Sequence, residues 1–259
     1  MTGVRPGLLG LLACAAAAWA QAPTPEQTGA AIEVSRKVAL AYASSLPDFI
    51  CTQLVHRETA GRVSWRTLDT LTIQLSYSDR REDHKLLLVD GKPSEESYAD
   101  LAGAVSVGEF AILQRQIFDP ASQAVFTWQK WTRVGKRQAA IYLYRVDVSH
   151  SQYSLVFRAS AELAQAIAGF HGEVEVDRQT GDVLSLTSIA DAIPKNFPIN
   201  SSTTTVTYNL AGVGGKRYLL PASSKMEMRA RDVWVRNRAQ YRNYRKFSAD
   251  SILHFGDAK

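Results

Sequence analysis

Apolar and polar residues alternate along much of this chain, and this alternation constrains the fold more than any other feature of the sequence. Within residues 65–77, Leu71, Ile73 and Leu75 are each followed by a polar residue. Successive side chains of a strand point to opposite faces of its sheet, so the pattern predicts strands that bury one face and wet the other. Such one-sided burial is typical of antiparallel sheets.

Turn signals divide the alternating segments into hairpins. The segment from Asp79 to Glu82 predicts a reversal into a strand at residues 85–89, and Asp90-Gly91 predicts a tight turn after it. Further strands are predicted at residues 49–54, 125–134, 139–149, 153–158, 172–177, 183–189, 203–210, 216–220 and 225–235. Most of the chain is therefore expected to form strands with short connections.

Three segments have helical signatures. Thr24 and Pro25 predict the start of an amphipathic helix that ends at Pro47. Residues 108–118 predict a second, short helix, and the alanine-rich residues 161–168 predict a third. Large sheets curl and an apolar face must be covered. The predicted fold is therefore α+β and mainly antiparallel β, a curved half-barrel sheet covered by a few helices on its concave side.

The first 20 residues have the pattern of a secretory signal peptide. Arg5 precedes an uncharged, apolar segment at residues 7–20, which ends in Ala18-Trp19-Ala20. The apolar segment is shorter than the roughly 20 residues that span a bilayer. We predict cleavage after Ala20, which leaves residues 21–259 as a single β-rich domain that is exported to the periplasm or the extracellular space. No later segment is apolar enough to cross a membrane.

The same segment allows a second interpretation. Leu11-Leu12-Ala13-Cys14 resembles the lipobox of bacterial lipoproteins, in which the cysteine is acylated. Lipid anchoring through Cys14 is therefore the alternative to cleavage. Cys51 is the other cysteine of the chain and cannot form an internal disulfide once the leader is removed. Its strand-like surroundings predict a buried structural thiol rather than a nucleophile.

Positive charge is concentrated near the C-terminus. The whole chain has a formal net charge of +5. Residues 225–246 contain Glu227 and Asp232 as their acids, against these basic residues: Lys225, Arg229, Arg231, Arg236, Arg238, Arg242, Arg245 and Lys246. A basic stretch of this kind indicates binding to anionic lipid or to an anionic envelope polymer. Export argues against nucleic acid as a partner.

Motifs of the common catalytic and cofactor sites are absent from the sequence. It contains no H-E-x-x-H zinc motif, no G-x-S-x-G nucleophile motif and no complete phosphate-binding loop. The segment from Gly212 to Lys216 has the length of a hairpin turn instead. We therefore predict no enzyme, no metal site and no cofactor. A hydrolase that uses Glu173, Glu175 or Asp177 is the alternative, because these acids share one face of a predicted strand.

Six aromatic residues form the best candidate for a ligand-binding site. They lie close together in the sequence or on neighbouring predicted strands: Phe118, Phe126, Trp128, Trp131, Tyr142 and Tyr144. Such a group can line an apolar groove or fill the core of the protein. Both interpretations are open from the sequence.

Two segments resemble a known family of carriers. Residues 172–186, with the sequence GEVEVDRQTGDVLSL, form a predicted strand, a turn and a returning strand, and residues 218–221, YLLP, precede another strand. The pattern resembles periplasmic lipoprotein carriers of the LolA/LolB type and RseB-like domains. Residues 46–51 and 118–121 are also similar to uncharacterised secreted bacterial proteins. The carrier resemblance implies a half-barrel whose concave face holds acyl chains and has no catalytic role.

Together these features predict a non-enzymatic, exported binding module. Its curved sheet is expected to shelter an apolar or lipid-like ligand, such as a lipid or a lipoprotein. The alternatives are an envelope hydrolase that uses Glu173, Glu175 or Asp177, and a scaffold that binds anionic surfaces through residues 225–246.

Overall fold

The computed structural model of the chain describes residues 21–61, 64–98, 101, 111–159 and 162–247. The predicted signal peptide, Cys14 and Phe110 lie outside these residues. The described part contains two α-helices, α1 at Pro25–Ser45 and α2 at Ile112–Phe118. Its strands are β1 Phe49–Ala60, β2 Trp65–Ser78, β3 Arg81–Val89, β4 Lys92–Pro93, β5 Val125–Val134, β6 Arg137–Val146, β7 Tyr153–Ala159, β8 Glu162–Asp177, β9 Val183–Asp191, β10 Ile199–Val213, β11 Lys216–Ala230 and β12 Val233–Lys246.

The twelve strands form one curved, open sheet in which every pairing is antiparallel. The strand order is β4-β3-β2-β1-β12-β11-β10-β9-β8-β6-β5, and β7 pairs with the first half of β8. Most neighbours are joined by hairpins, and the pairing of β1 with β12 brings the two ends of the chain together. The predicted α+β fold with a curved, mainly antiparallel sheet is confirmed.

Helix α1 begins where the sequence predicts. The Thr24 hydroxyl accepts the backbone N–H of Gln27 at 3.2 Å, and the Gln27 side chain accepts the N–H of Thr24 at 2.9 Å. This capping box satisfies two of the N–H groups that a helix start leaves unpaired. The helix ends at Ser45, because Leu46 is extended and Pro47 follows it.

A hydrogen bond from the Arg36 side chain connects α2 to α1. Arg36 of α1 donates from Nη1 to the carbonyl oxygen of Phe118, the last residue of α2, at 2.7 Å. This bond satisfies one of the carbonyl groups that a helix end leaves unpaired. The two helices therefore lie together against the sheet and bury Ile117 and Phe118 beneath them.

The predicted helix at residues 161–168 is wrong. Residues 162–168 are the start of β8 and pair with β7 from Ala159↔Glu162 to Tyr153↔Ala168, whereas residue 161 lies outside the described residues. Ala164, Ala166 and Ala168 are more buried than Gln165 and Ile167 between them, which is the alternation of a strand. Cross-strand pairing has therefore overridden the high helix propensity of alanine.

The predicted strand at residues 225–235 is also wrong as a single element. The chain reverses at Arg231, which has a φ of 54°, so that β11 ends at Ala230 and β12 begins at Val233. The strand predicted at residues 216–220 is also longer than expected and does not end at Leu220. Strand β11 continues through Pro221, because a shift in register against β10 accommodates a residue that cannot donate a hydrogen bond.

The concave face carries the core, which has two parts. One lies under α1 and α2 against β5–β10, and the other lies over β1–β3, β11 and β12. A row of paired residues crosses the concave face from β2 to β5: Asp69, Arg57, Asn237, Met226, Thr204, Ser188, Gly172, Tyr144 and Phe126. This row brings several polar groups into the interior, and each of its two ends depends on a specific contact.

Near one end of the row, Arg57 forms a buried ion pair with Asp69. Arg57 Nε donates to Asp69 Oδ1 at 2.7 Å, and Arg57 Nη2 donates to Asp69 Oδ2. The two side chains are 5% and 12% exposed. Each charge therefore depends on the other for compensation.

Near the other end, Tyr144 lies across β8 at the position of Gly172. The Tyr144 hydroxyl donates to the carbonyl oxygen of Thr187 at 2.9 Å and lies 2.7 Å from the Ser188 hydroxyl. A Cβ atom at Gly172 would lie 1.8 Å from the Thr187 carbonyl oxygen and 3.2 Å from the Tyr144 hydroxyl. The close approach of β8 and β9 here therefore requires glycine.

His84 makes the stability of the fold sensitive to acid. Its ring stacks on Tyr98 with 4.9 Å between centroids, and burial lowers its pKa to about 4. The His84 side chain therefore has a pKa near 6.5 in the unfolded chain but about 4 in the folded chain, so the unfolded chain binds its proton first as the pH falls. Stability is complete above the unfolded pKa and is lost as the pH falls towards the folded pKa.

We expect acidification from pH 7 to 4 to cost wild type about 2–3 kcal/mol more than the His84→Phe variant. Phenylalanine keeps the stacking on Tyr98 but cannot be protonated. Urea unfolding curves at several pH values measure this difference. An identical pH dependence for the two proteins would contradict the lowered pKa of His84 in the folded chain.

Candidate functional site

The structure brings the six predicted aromatic residues onto one face. Gln129 has no partner in β6, because Trp128 pairs with Tyr142 while Lys130 pairs with Ile141. This β-bulge shifts the alternation of β5 by one residue. Trp131 consequently pairs with Ala140 and lies on the same concave face as Trp128. The sequence pattern alone places Trp131 on the other face.

Five of the six residues pack mainly as core, and Tyr142 is among them with 2% of its surface exposed. Phe118 stacks on Phe126 at 5.4 Å between centroids, and Phe126 lies 6.3 Å from Tyr144. Trp128 packs edge-on against Trp131 at 5.5 Å. The rings therefore form a continuous aromatic layer between α2 and β5–β6, in which Phe118 and Tyr144 are fully buried.

Two of the six residues, the half-buried Trp131 and the buried Tyr142, also line an open cleft of about 590 Å³ between the start of α1 and the concave face. Its apolar wall consists of these residues: Ala31, Val34, Trp131, Ala140, Tyr142 and Val176. Polar groups stand at its margin: Gln21, Thr24, Gln27, Asp177, Arg178 and Gln179. The lining is about evenly divided between polar and apolar groups, and the volume is within the range of sites that bind small molecules.

Trp131 connects the parts of this cleft. Its indole Nε1 donates to the carbonyl oxygen of Gln21 at 2.9 Å, which holds the segment before α1. The guanidinium group of Arg178 lies 4.0 Å from the centroid of the indole ring, within the range of a cation–π interaction. Burial raises the pKa of Tyr142, and the nearby charge of Arg178 partly offsets this rise. A positive charge therefore stands beside an apolar wall.

The turn between β8 and β9 positions Arg178. The Asp177 carboxylate accepts the backbone N–H groups of Gln179 at 2.8 Å and Thr180 at 3.0 Å. Gly181 has a φ of 76°, and a Cβ atom there would lie 2.8 Å from Val34 Cγ1 of α1. The turn therefore rests directly on the helix and fixes one margin of the cleft.

The three acids of the hydrolase alternative lie in different surroundings. Asp177 is held by its turn and by Arg137 Nε at 3.5 Å. Glu173 is exposed, and the pKa of Glu175 is raised by burial and by the charge of Glu173. Glu173 pairs with Leu143 of β6, so no acid faces it there across the sheet.

Cys51 is a buried free thiol, as the sequence predicts. Burial raises the pKa of its thiol to about 12, which leaves almost no thiolate at neutral pH. Among the described residues, no group of three or more His, Cys, Asp and Glu side chains is placed to hold a metal ion. None of the described helices has an apolar stretch long enough to span a membrane.

The basic C-terminal stretch is divided by the fold. Arg236 donates to Glu58 at 2.7 Å and to Glu227 at 3.4 Å, and Arg238 contacts Glu58 at 2.8 Å. Several of its charges are therefore paired on the convex face of β11 and β12. Lys246 lies at the far end of β12, on the turn between β10 and β11.

A second, smaller groove of about 330 Å³ lies beside α2. Its lining is mostly polar and includes Arg115, Gln116 and His150. Arg115 lies 3.9 Å from Asp119, and Gln116 donates to the carbonyl oxygen of Gln152 at 3.1 Å. These contacts hold the turn after α2, and the groove offers little apolar surface.

The helix and turn residues of the cleft could not be found from the sequence. Ala31 and Val34 belong to an ordinary amphipathic helix, and Arg178 belongs to an ordinary hairpin turn. The aromatic cluster is a usable signal, since Trp131 and Tyr142 both belong to the site.

Solved structures with a similar arrangement include three bacterial proteins. A DUF1329 family protein from Desulfovibrio piger is 9% identical, with 86% of this chain and 94% of that chain covered and a TM-score of 0.39. An outer membrane lipoprotein-sorting protein domain from Vibrio parahaemolyticus is 12% identical, with 87% and 94% covered and a TM-score of 0.37. A LolA superfamily protein from Nitrosomonas europaea is 6% identical, with 85% and 93% covered and a TM-score of 0.30.

These neighbours include the LolA-type proteins that the sequence resembles. No family model matches the chain, and no curated protein matches it in sequence. The function is therefore inferred from the geometry of this chain.

Proposed function

We propose that this protein is a non-enzymatic binding module that shelters an apolar or lipid-like ligand in the cleft between α1 and the concave face. The observation that carries the proposal is the cleft itself, about 590 Å³ in volume, with an apolar side that includes Trp131 and a polar margin that includes Arg178. Trp131 and Tyr142 form its aromatic wall, and Ala140 and Val176 line it from the neighbouring strands.

The small residues of the wall favour a chain-like ligand. Ala31 and Ala140 leave space beside the larger Trp131, so that a flexible chain can lie along the sheet under the helix. Each methylene group that enters such a wall contributes about 0.8 kcal/mol. A few methylene groups therefore suffice for measurable binding, without any reacting group.

The polar margin favours an amphiphile over a hydrocarbon. Arg178 stands over the edge of the apolar wall, with Thr24 and Gln27 across the cleft on α1. A ligand with a polar or anionic head can leave its head at this margin while its chain is buried. We propose the orientation with the head beside Arg178 and the chain against Ala140.

Export is part of this proposal. Removal of the predicted leader after Ala20 makes Gln21 the first residue of the mature chain. Trp131 then holds that residue at the margin of the cleft through its carbonyl group. The proposed compartment is the periplasm or the extracellular space, where free lipid-like molecules need a carrier in water.

We expect the Trp131→Ala variant to bind a fluorescent fatty acid at least about tenfold more weakly than wild type. The substitution removes one wall of the cleft, and burial of an aromatic side chain against a ligand contributes about 1.5–3 kcal/mol. Titration of the mature protein with the probe, followed by its fluorescence, measures the dissociation constant.

The matched control is Trp234→Ala, which removes a tryptophan that is 38% exposed at the opposite end of the sheet. This variant is expected to bind the probe as wild type does. Circular dichroism checks that both variants fold. If wild type takes up no probe, or if folded Trp131→Ala binds it unchanged, the cleft is not the ligand site.

A further inference from the structure

Several hairpin turns meet at one end of the sheet because antiparallel strands alternate in direction. The turns between β5 and β6, between β8 and β9, and between β10 and β11 all lie at this end, together with the end of β12. A Cβ atom at Gly214 would lie 3.6 Å from Cδ of Lys246, so the end of β12 touches the β10–β11 turn. This end is also where the cleft opens.

These turns present an excess of positive charge, which we call the cationic rim. Its exposed members are Arg133, Lys136, Arg178, Lys216, Arg217, Arg245 and Lys246. Every residue of the three turns is described, and their acids are Asp177 and Asp182. Arg137 contacts both acids, at 3.5 Å and 3.2 Å, and so compensates one of their two negative charges. The rim therefore carries a net positive charge after its own ion pairs are formed.

Among the described residues, the opposite end of the sheet lacks this excess. Lys92 follows Asp90 there, and Arg231 is followed by Asp232. The exposed Lys195 lies in the connection between β9 and β10. Charge is thus segregated along the strands, with the positive end at the mouth of the cleft.

The rim and the cleft share a residue. Arg178 belongs to the rim by its place in the β8–β9 turn, and it stacks on Trp131 of the cleft wall. Glu26, in the first turn of α1, is an exposed acid close in sequence to the cleft residues Thr24 and Gln27. Even with this acid, the cations at the mouth outnumber the uncompensated anions.

We propose that the cationic rim docks on an anionic lipid surface and presents the mouth of the cleft to the headgroup layer. The phosphate groups of such a surface complement the charge of the rim. Phe247, which follows Lys246 and is 38% exposed, adds an aromatic ring beside the cations. Aromatic residues beside cations suit the boundary between headgroups and acyl chains better than a soluble polymer. The role given to the cleft rests on the proposed function, whereas the docking itself does not.

Flotation of the mature protein with lipid vesicles tests this docking. We expect binding to vesicles of phosphatidylcholine with 30 mol% phosphatidylglycerol, and no binding to phosphatidylcholine alone. Binding should be lost in about 0.5 M salt, where charges are screened within a few ångströms. Equal binding to both vesicles, or binding that resists salt, would overturn the proposal.

Two matched pairs of substitutions locate the surface. Lys216→Gln with Arg217→Gln is expected to weaken vesicle binding roughly 25-fold, at about fivefold for each cation near the membrane. Lys92→Gln with Lys195→Gln removes the same charge from the other end and should leave binding unchanged. All four positions are exposed, so folding is not expected to change. Equal losses in the two pairs would show that net charge alone acts, which would overturn the proposal.

Two further measurements distinguish docking by the rim from lipid uptake by the cleft and from binding to a polymer. Trp131→Ala, which damages the cleft, should still float with the anionic vesicles if the rim is the contact. If the Trp131→Ala variant no longer floats with the vesicles, lipid uptake and not docking causes the flotation. Soluble dextran sulfate, added as a competitor at equal charge, should displace the protein only weakly; full displacement with tighter polymer binding would assign the rim to an anionic polymer.

Discussion

The Gly172→Ala variant is expected to lose more than about 4 kcal/mol of its free energy of unfolding, and so to be largely unfolded. The added Cβ atom would lie 1.8 Å from the carbonyl oxygen of Thr187. Both atoms are part of paired strands, so neither can move aside without opening β8 and β9. The change would also displace Tyr144, whose hydroxyl bonds to the same carbonyl group. Urea denaturation followed by circular dichroism measures the loss.

The matched control for this substitution is Gly212→Ala in β10. No atom lies within 4 Å of the position that its Cβ atom would occupy. We expect this variant to stay within about 0.5 kcal/mol of wild type. A folded and stable Gly172→Ala variant would show that β8 and β9 do not approach each other as described.

The Asp69→Ala variant is expected to lose about 3–5 kcal/mol, because it removes the carboxylate that forms an ion pair with the buried Arg57 side chain. The Arg57 side chain is 5% exposed, and its Nε atom donates to the missing carboxylate. Arginine stays protonated at all accessible pH values, so it cannot escape this cost by losing its proton. Chemical denaturation at neutral pH measures the loss, and Asp83→Ala on the exposed side of β3 serves as the control.

Removal of both charges distinguishes a buried charge from lost packing. The Arg57→Leu, Asp69→Leu double variant should recover most of the stability that Asp69→Ala loses, because no charge then remains in the interior. Wild-type stability in the single variant would mean that water reaches Arg57. A double variant that is less stable than the single one would show that the ion pair itself stabilises the fold.

The predicted part of the fold rests on local patterns that the tertiary structure reinforces. The alternation at Leu71, Ile73 and Leu75 becomes the concave face of β2, where all three side chains are buried. Thr24 and Pro25 start α1, and Pro47 follows its end. In each case the local preference and the burial agree, so the sequence alone is sufficient to predict the element.

Predictions are wrong where pairing between strands overrides a local preference. Residues 161–168 are rich in alanine, which predicts a helix, yet residues 162–168 pair with β7. A proline is typical of a strand end, yet β11 continues through Pro221 with a shift in register. Partners distant in the sequence decide both cases, and no local pattern contains them.

The candidate site is predictable only through its aromatic residues. Trp131 and Tyr142 stand out by their clustering, whereas the cleft between them and α1 depends on how a helix rests on a sheet. The bulge at Gln129 is the clearest limit, because it turns Trp131 to the concave face against the simple alternation.

The same bulge shapes the outer edge of the molecule. Strand β5 is the last of its sheet and has no partner beyond it among the described residues, so its backbone is a template on which a strand from another molecule could be added. The unpaired residue Gln129 breaks the regular spacing of that edge, and the exposed Lys130 places a charge directly after the break. The bulge that turns Trp131 to the concave face thus also helps to keep neighbouring molecules from fusing their sheets into a fibre.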